Sequence, residues 1–202
     1  MIDAYIRPIM DPPLTKIGST LARLNISANW VTGIGFLLGL TAILSIIVQA
    51  YTLAGCLFIT NRICDGLDGG IARSTQMTDL GGYLDIISDF IIYPGIPLAF
   101  CFADPSHAIY GAFVIFAMSG AMTSFLAFAI ICAKNNIDTE KRGKKSFYFL
   151  GGICEGFETA VFLTAMCFFP GAFATLALIF GVLCLCTTFG RIRQATHMFS
   201  SS

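Results

Sequence analysis

An all-α, polytopic membrane protein with about six transmembrane helices and an N-terminal interfacial helix is the fold that the sequence predicts. Charge is scarce: of the 202 residues 56% are hydrophobic and 12% charged, and the mean hydropathy is +0.79. Soluble chains average about 25% charged residues, so half that density cannot coat a surface facing water, and a soluble domain is excluded. Predominantly apolar runs recur from Trp30 to Phe189, each near the roughly 20 residues that cross a bilayer as helix. The basic residues gather on one side of those runs, as orientation by positive charge requires of short loops.

The chain opens on a juxtamembrane segment, residues 1–28. Its first apolar run is interrupted by Arg7, Pro8, Asp11, Pro12 and Pro13, so it does not read as a cleaved signal peptide. From Leu14 onward, Leu14, Ile17, Leu21 and Leu24 repeat at helical spacing, with Lys16, Ser19, Thr20 and Arg23 elsewhere around the turn. That pattern predicts a helix lying on the cytoplasmic face of the membrane. Residues 29–195 read as one six-helix membrane domain, with spans expected at 30–50, 52–72, 82–102, 107–133, 151–168 and 171–189, and residues 196–202 as a tail.

Arg7, Lys16 and Arg23 precede the first span, Arg62 and Arg73 lie toward the far end of the second, and Lys134, Lys141, Arg142, Lys144 and Lys145 follow the fourth. Arg191 and Arg193 follow the sixth, while the opposite loops around 48–51, 103–106 and 168–171 hold no Lys or Arg. Both termini are therefore expected in the cytoplasm, which favours an even number of spans. Twelve Lys and Arg balance twelve Asp and Glu, and no nucleic-acid partner is expected. The eight cysteines are scattered through the spans without a disulfide framework, where free Cys behaves as a small hydrophobe. Most of Ser119, Thr123, Ser124, Thr159, Thr164, Thr187 and Thr188 are expected to bond to a helix backbone.

Asp and Glu inside a bilayer are expensive and mark function by default, yet Asp65, Asp68, Asp85, Asp89, Glu155 and Glu158 all fall in or beside expected spans. Asp65 and Asp68 stand three apart and Asp85 and Asp89 four apart, spacings that put each pair on one helical face. Two facing helices would bring the four carboxylates together, and like charges in one pocket call for a bound cation. All-oxygen ligands favour a hard metal such as Mg²⁺. Gly66, Gly69, Gly70, Gly81 and Gly82 remove side chains where a bulky ligand could meet backbone, and Arg73 offers a forked donor suited to phosphate oxygens.

In order, Asp65-Gly-Leu-Asp68-Gly69-Gly-Ile-Ala72-Arg73, seven residues, Gly81, three residues, Asp85, three residues and Asp89 resemble the signature of the CDP-alcohol phosphotransferase (CDP-alcohol phosphatidyltransferase) family, D-x2-D-G-x2-A-R followed by G-x3-D-x3-D. All eight signature positions match. The N-terminal helix, the six spans and a short Asn29-Trp-Val-Thr32 extend the resemblance, although the family often has Pro where Ala28 precedes that Asn. The segment 143–159 is similar to a bacterial subgroup, which implies a bacterial cytoplasmic (inner) membrane.

The resemblance implies transfer of a phosphatidyl, or equivalent phospho-alcohol, group from a CDP-linked lipid donor such as CDP-diacylglycerol to the hydroxyl of a small polar acceptor. CMP is released, as a step of phospholipid biosynthesis. It implies two Mg²⁺ or Mn²⁺ ions held by Asp65, Asp68, Asp85 and Asp89, with Asp89 also the general base. Asp65, Asp68, Gly69, Arg73 and Thr32 would contact the CDP part, and a homodimer is expected. Lys144, Lys145, Glu155 and Glu158 are the candidate acceptor residues. The lysines suit a phosphorylated polyol such as glycerol phosphate or inositol phosphate, whereas the glutamates could bond to an unphosphorylated alcohol or pair with Arg191, Arg193 or the lysines. A divalent-cation transporter would also gather carboxylates, but nearer the midplane of broken or repeated helices, and would leave the glycines and Arg73 unexplained.

Overall fold

The computed structural model describes residues 3–135 and 152–200, in which seven α-helices follow one another. They are α1 (Asp3–Arg23), α2 (Ala28–Ile47), α3 (Tyr51–Ser74), α4 (Asp79–Ala103), α5 (Ala108–Lys134), α6 (Gly156–Phe168) and α7 (Phe173–Phe199). No strand occurs among the described residues, so the all-α expectation holds and each expected span is a helix. Four segments are long and apolar enough to cross a membrane: Ala28–Ile47, Asp79–Ala103, Pro105–Lys134 and Pro170–Phe199. α3 is long enough at 24 residues, but Arg62, Asp65, Asp68 and Arg73 interrupt its apolar run. α6 has 13 residues, roughly 20 Å of helix, and begins at Gly156 rather than near 151.

Local sequence sets most of these boundaries. Ser27 caps α2, its hydroxyl accepting from the Trp30 N–H at 3.4 Å. Thr78 caps α4 by accepting from the Gly81 N–H at 3.1 Å. Asp104 accepts from the Ser106 N–H at 2.8 Å, which holds its carboxyl below the ordinary carboxylate range. α6 starts on a reciprocal box in which Glu155 and Glu158 each accept from the other's backbone N–H.

The core lies between α2, α3, α4, α6 and the packed pair α5 and α7. Phe100 stacks on Phe173 with centroids 4.3 Å apart and on Tyr51 at 5.4 Å, which closes the end of the bundle where the turns carry no Lys or Arg. Small residues let the helices approach, as expected for membrane bundles: Gly39 meets Ile92, Gly120 meets Thr188, and Gly181 meets Phe113. Thr123, Ser124, Thr187 and Thr188 donate their hydroxyls to carbonyls one turn back, as expected. All eight cysteines are free thiols.

α1 is the expected N-terminal helix, and it extends further and docks on α3. It begins at Asp3 and runs through Pro8, Pro12 and Pro13, all three exposed, so their rings lie away from the body of the protein. Its docked face is Leu14, Gly18 and Leu21, whereas Ile17 and Leu24 are 51% and 66% exposed. Gly18 dictates that rotation, because a Cβ there would stand 2.5 Å from the Gly70 carbonyl carbon, and one on Gly70 would stand 2.6 Å from the Leu14 oxygen. Gly66 lies beneath the Leu14 side chain. Gly66 and Gly70 thus admit α1 rather than a ligand, which corrects the expectation for those two. Gly70→Val should therefore force α1 off α3 and lower stability by about 1–3 kcal/mol, read as a fall in the thermal unfolding temperature in detergent, while Gly82→Ala, with nothing near its Cβ position, should not.

Candidate active site

Helical spacing places Asp65 and Asp68 on the face of α3 that meets Asp85 and Asp89 on α4. Asp85 lies within hydrogen-bond reach of Asp65, and Asp89 adds to the field on Asp68 and Asp85. Thr32 reaches across from the first turn of α2 and donates to Asp68 Oδ2 at 2.5 Å. The four carboxylates and Thr32 named from the sequence therefore meet at one end of the bundle. Asp68 is the most enclosed of the α3 pair, at 6% exposure. A cleft of about 10 Å³ beside them is lined by Thr32, Gly35, Phe36, Asn61, Arg62, Asp65, Asp68 and Ser88.

Arg62 is the residue that sequence reasoning missed, having counted it only as a charge that orients the chain. Its Nη2 lies 2.6 Å from Asp89 Oδ1 and its Nη1 3.6 Å from Asp65 Oδ2, so the guanidinium bridges the two helices. Its Nε donates to Asn61 Oδ1 at 2.8 Å, and its Nη1 donates to the Tyr93 hydroxyl. The signal was available: Arg62 stands one turn before Asp65 inside an apolar run, where a cation needs a partner as much as an anion does.

Gly69 and Arg73 meet each other. The Arg73 Nη1 lies 3.2 Å from where a Cβ on Gly69 would stand, so the absence of that Cβ lets the guanidinium fold across α3. Arg73 is half-exposed, donates from Nε to Thr15 Oγ1 at 3.3 Å and lies 3.8 Å from Asp11 on α1. Gly81 faces Thr78 and the Asn29 side chain, which puts the first turn of α2 beside the first turn of α4. Glu155 and Glu158 are engaged in starting α6: Glu155 N–H donates to Glu158 Oε2 at 3.3 Å and Gly152 N–H to Glu155 Oε1 at 3.2 Å. Glu158 is buried. Lys144 and Lys145, with Lys141 and Arg142, lie outside the described residues.

Four carboxylates with a hydroxyl beside them make an all-oxygen donor set, and that chemistry fits a hard divalent cation. Among the described residues no three of these groups already converge as a ligand shell; the Arg62 guanidinium bridges Asp65 and Asp89 instead. A second opening adjoins the carboxylates. Met10 and Leu14 of α1, Ile63 of α3, and Ala160 and Phe168 of α6 line an apolar groove of about 510 Å³ that also touches Arg62. The polar cleft and the apolar groove therefore share one residue, Arg62.

A family model described as CDP-alcohol phosphatidyltransferase matches residues 25–194. The chain is 40% identical over 193 residues to the inner membrane protein YnjF of Escherichia coli strain K12, covering 95% of this chain and 94% of that protein. It is 42% identical over 98 residues to the archaetidylinositol phosphate synthase of Pyrococcus horikoshii, a match spanning 46% of this chain and 52% of that one. A third relative, the phosphatidylcholine synthase of Borreliella burgdorferi, is 34% identical over 89 residues, or 40% and 38% of the two chains. With its eight signature positions on α3 and α4 and the family model covering residues 25–194, the chain belongs to the CDP-alcohol phosphatidyltransferase family.

Proposed function

We propose that this protein transfers a phosphatidyl, or equivalent phospho-alcohol, group from a CDP-linked lipid donor such as CDP-diacylglycerol to the hydroxyl of a small polar acceptor, releasing CMP. The observation that carries the reading is the meeting of two unlike surfaces at Arg62, the carboxylates of Asp65 and Asp89 on one side and an apolar groove on the other. A nucleotide linked to acyl chains needs both. Bound Mg²⁺ or Mn²⁺, two ions held by Asp65, Asp68, Asp85 and Asp89, would neutralise the pyrophosphate and stabilise the charge that builds on the departing oxygen.

The residues of the chain supply the rest. Asp89 takes the proton of the acceptor hydroxyl as its oxygen bonds to the lipid-side phosphorus, and the bond from that phosphorus to the bridging oxygen breaks, so CMP leaves with its phosphate. Thr32 orients Asp68 through its hydroxyl. Arg73 leaves Asp11 and Thr15 and turns toward the CDP phosphate oxygens, where its fork gives charge-assisted bonds. The acceptor in this proposal is a phosphorylated polyol, held by Lys144 and Lys145, because Glu155 and Glu158 are occupied in starting α6. Orientation with both termini in the cytoplasm of a bacterial inner membrane, and a homodimer, belong to the same proposal; the name of the Escherichia coli relative supports the membrane.

The test is CMP release from CDP-diacylglycerol by the purified protein with Mg²⁺, offered glycerol phosphate, inositol phosphate, inositol, serine and choline in turn. One phosphorylated acceptor should stimulate release, Asp89→Asn should lower it by about 100-fold or more, and chelation should abolish it. Stimulation by choline or serine alone would overturn the acceptor, and no release with any acceptor would count against the reaction. Filling the groove gives a separate prediction. Ala160→Trp should raise KM for long-chain CDP-diacylglycerol about tenfold, roughly 1.4 kcal/mol, and leave the affinity for CDP itself unchanged; equal effects on both would show that the groove does not hold the chain.

A further inference from the structure

We infer that Arg62 is a positioning residue for Asp89, holding that carboxylate from the apolar side of the site in a guanidinium fork that cannot turn. The inference rests on the reading above, in which Asp89 meets the acceptor hydroxyl. Arg62 precedes Asp65 by three residues on α3, so it lies one turn deeper in the bundle on the same face, and its side chain is 14% exposed. Tyr93 follows Asp89 by four residues on α4 and lies at the same depth.

Each edge of the guanidinium has its own partner. Nη2 lies 2.6 Å from Asp89 Oδ1, Nε donates to Asn61 Oδ1 at 2.8 Å, and Nη1 donates to the Tyr93 hydroxyl and faces Asp65 at 3.6 Å. Its plane is packed against aromatic rings, with Cζ 4.7 Å from the Tyr93 centroid and 5.6 Å from that of Phe58. Asn61, only 3% exposed, donates in turn to the Gly35 carbonyl of α2 at 2.8 Å. The fork is thereby tied to α2, α3 and α4 at once. A counter-ion needs only proximity and charge. A fork held at Nε by Asn61 and at Nη1 by Tyr93 also fixes where Nη2 stands beside Asp89, and position is what a proton acceptor requires, since a displacement of about 1 Å at a reacting group can cost about 100-fold in rate.

The experiment compares wild type, Arg62→Met, Arg62→Lys and Asp89→Asn, as full-length protein in detergent, in steady-state CMP release and in thermal unfolding with a chelator present. Arg62→Met should lower kcat about 100-fold with KM for CDP-diacylglycerol within about threefold of wild type. Arg62→Lys should fall between, about tenfold down, because an ammonium can reach Asp89 but cannot also hold Asn61 and Tyr93. Without metal, Arg62→Met and Asp89→Asn should each lower the unfolding temperature, and the double variant should lie no lower than the worse single one. Arg62→Met with kcat within threefold of wild type, a loss borne by KM alone, or additive unfolding shifts would overturn the inference. If Met at this position prevents folding, the kcat and KM of Arg62→Lys decide it by the same criteria. Failure of the parent reading shows separately, as no CMP release by wild type, while the unfolding cycle still tests the pair.

Discussion

The ion pair between Arg62 and Asp89, 2.6 Å across the α3–α4 interface, is the constraint on which the rest of this molecule depends. Four carboxylates at one end of a membrane bundle repel one another and are costly to remove from water. One guanidinium cannot neutralise four charges, but it joins the two helices that carry them and keeps the pairs face to face. Removing one partner from a buried pair typically costs about 3–5 kcal/mol because the other is left uncompensated. The same arrangement leaves the cluster with a surplus of negative charge, the condition that favours a divalent cation.

α1 completes the site from outside the bundle. The close approach of Gly18 to Gly70 lays Leu14 over Gly66 and brings Met10 and Leu14 to one wall of the apolar groove, with α6 as the other. Asp11 and Thr15 of the same helix hold Arg73 at the edge of α3. One helix thereby walls the apolar groove and restrains Arg73, so packing at two glycines is linked to both parts of the proposed donor site.

Much of this was legible in the sequence for a physical reason: the signature is local. Asp65 with Asp68 and Asp85 with Asp89 share faces by helical periodicity alone, and the one-sided basic residues needed only counting. What escaped depends on contacts between distant segments or on a cap chemistry that is less common. Arg62 looked like an orienting charge because its partners, Asp89 and Tyr93, lie on another helix. The face by which α1 docks on α3 was not foreseen because Gly18, which a hydrophobic pattern ignores, decides it. Glu155 and Glu158 read as intramembrane acids, since a glutamate at the cap of a reciprocal box departs from the usual Ser or Thr.

The most direct test of the account is to locate the cation and the nucleotide together. Crystals of the protein grown with Mn²⁺ and CDP, and measured at the manganese edge, should show anomalous density between α3 and α4, within ligand distance of Asp65, Asp68 and Asp85, with the CDP phosphates beside it and Arg62 still on Asp89. Density elsewhere, or CDP bound at another face with no manganese between these helices, would contradict it.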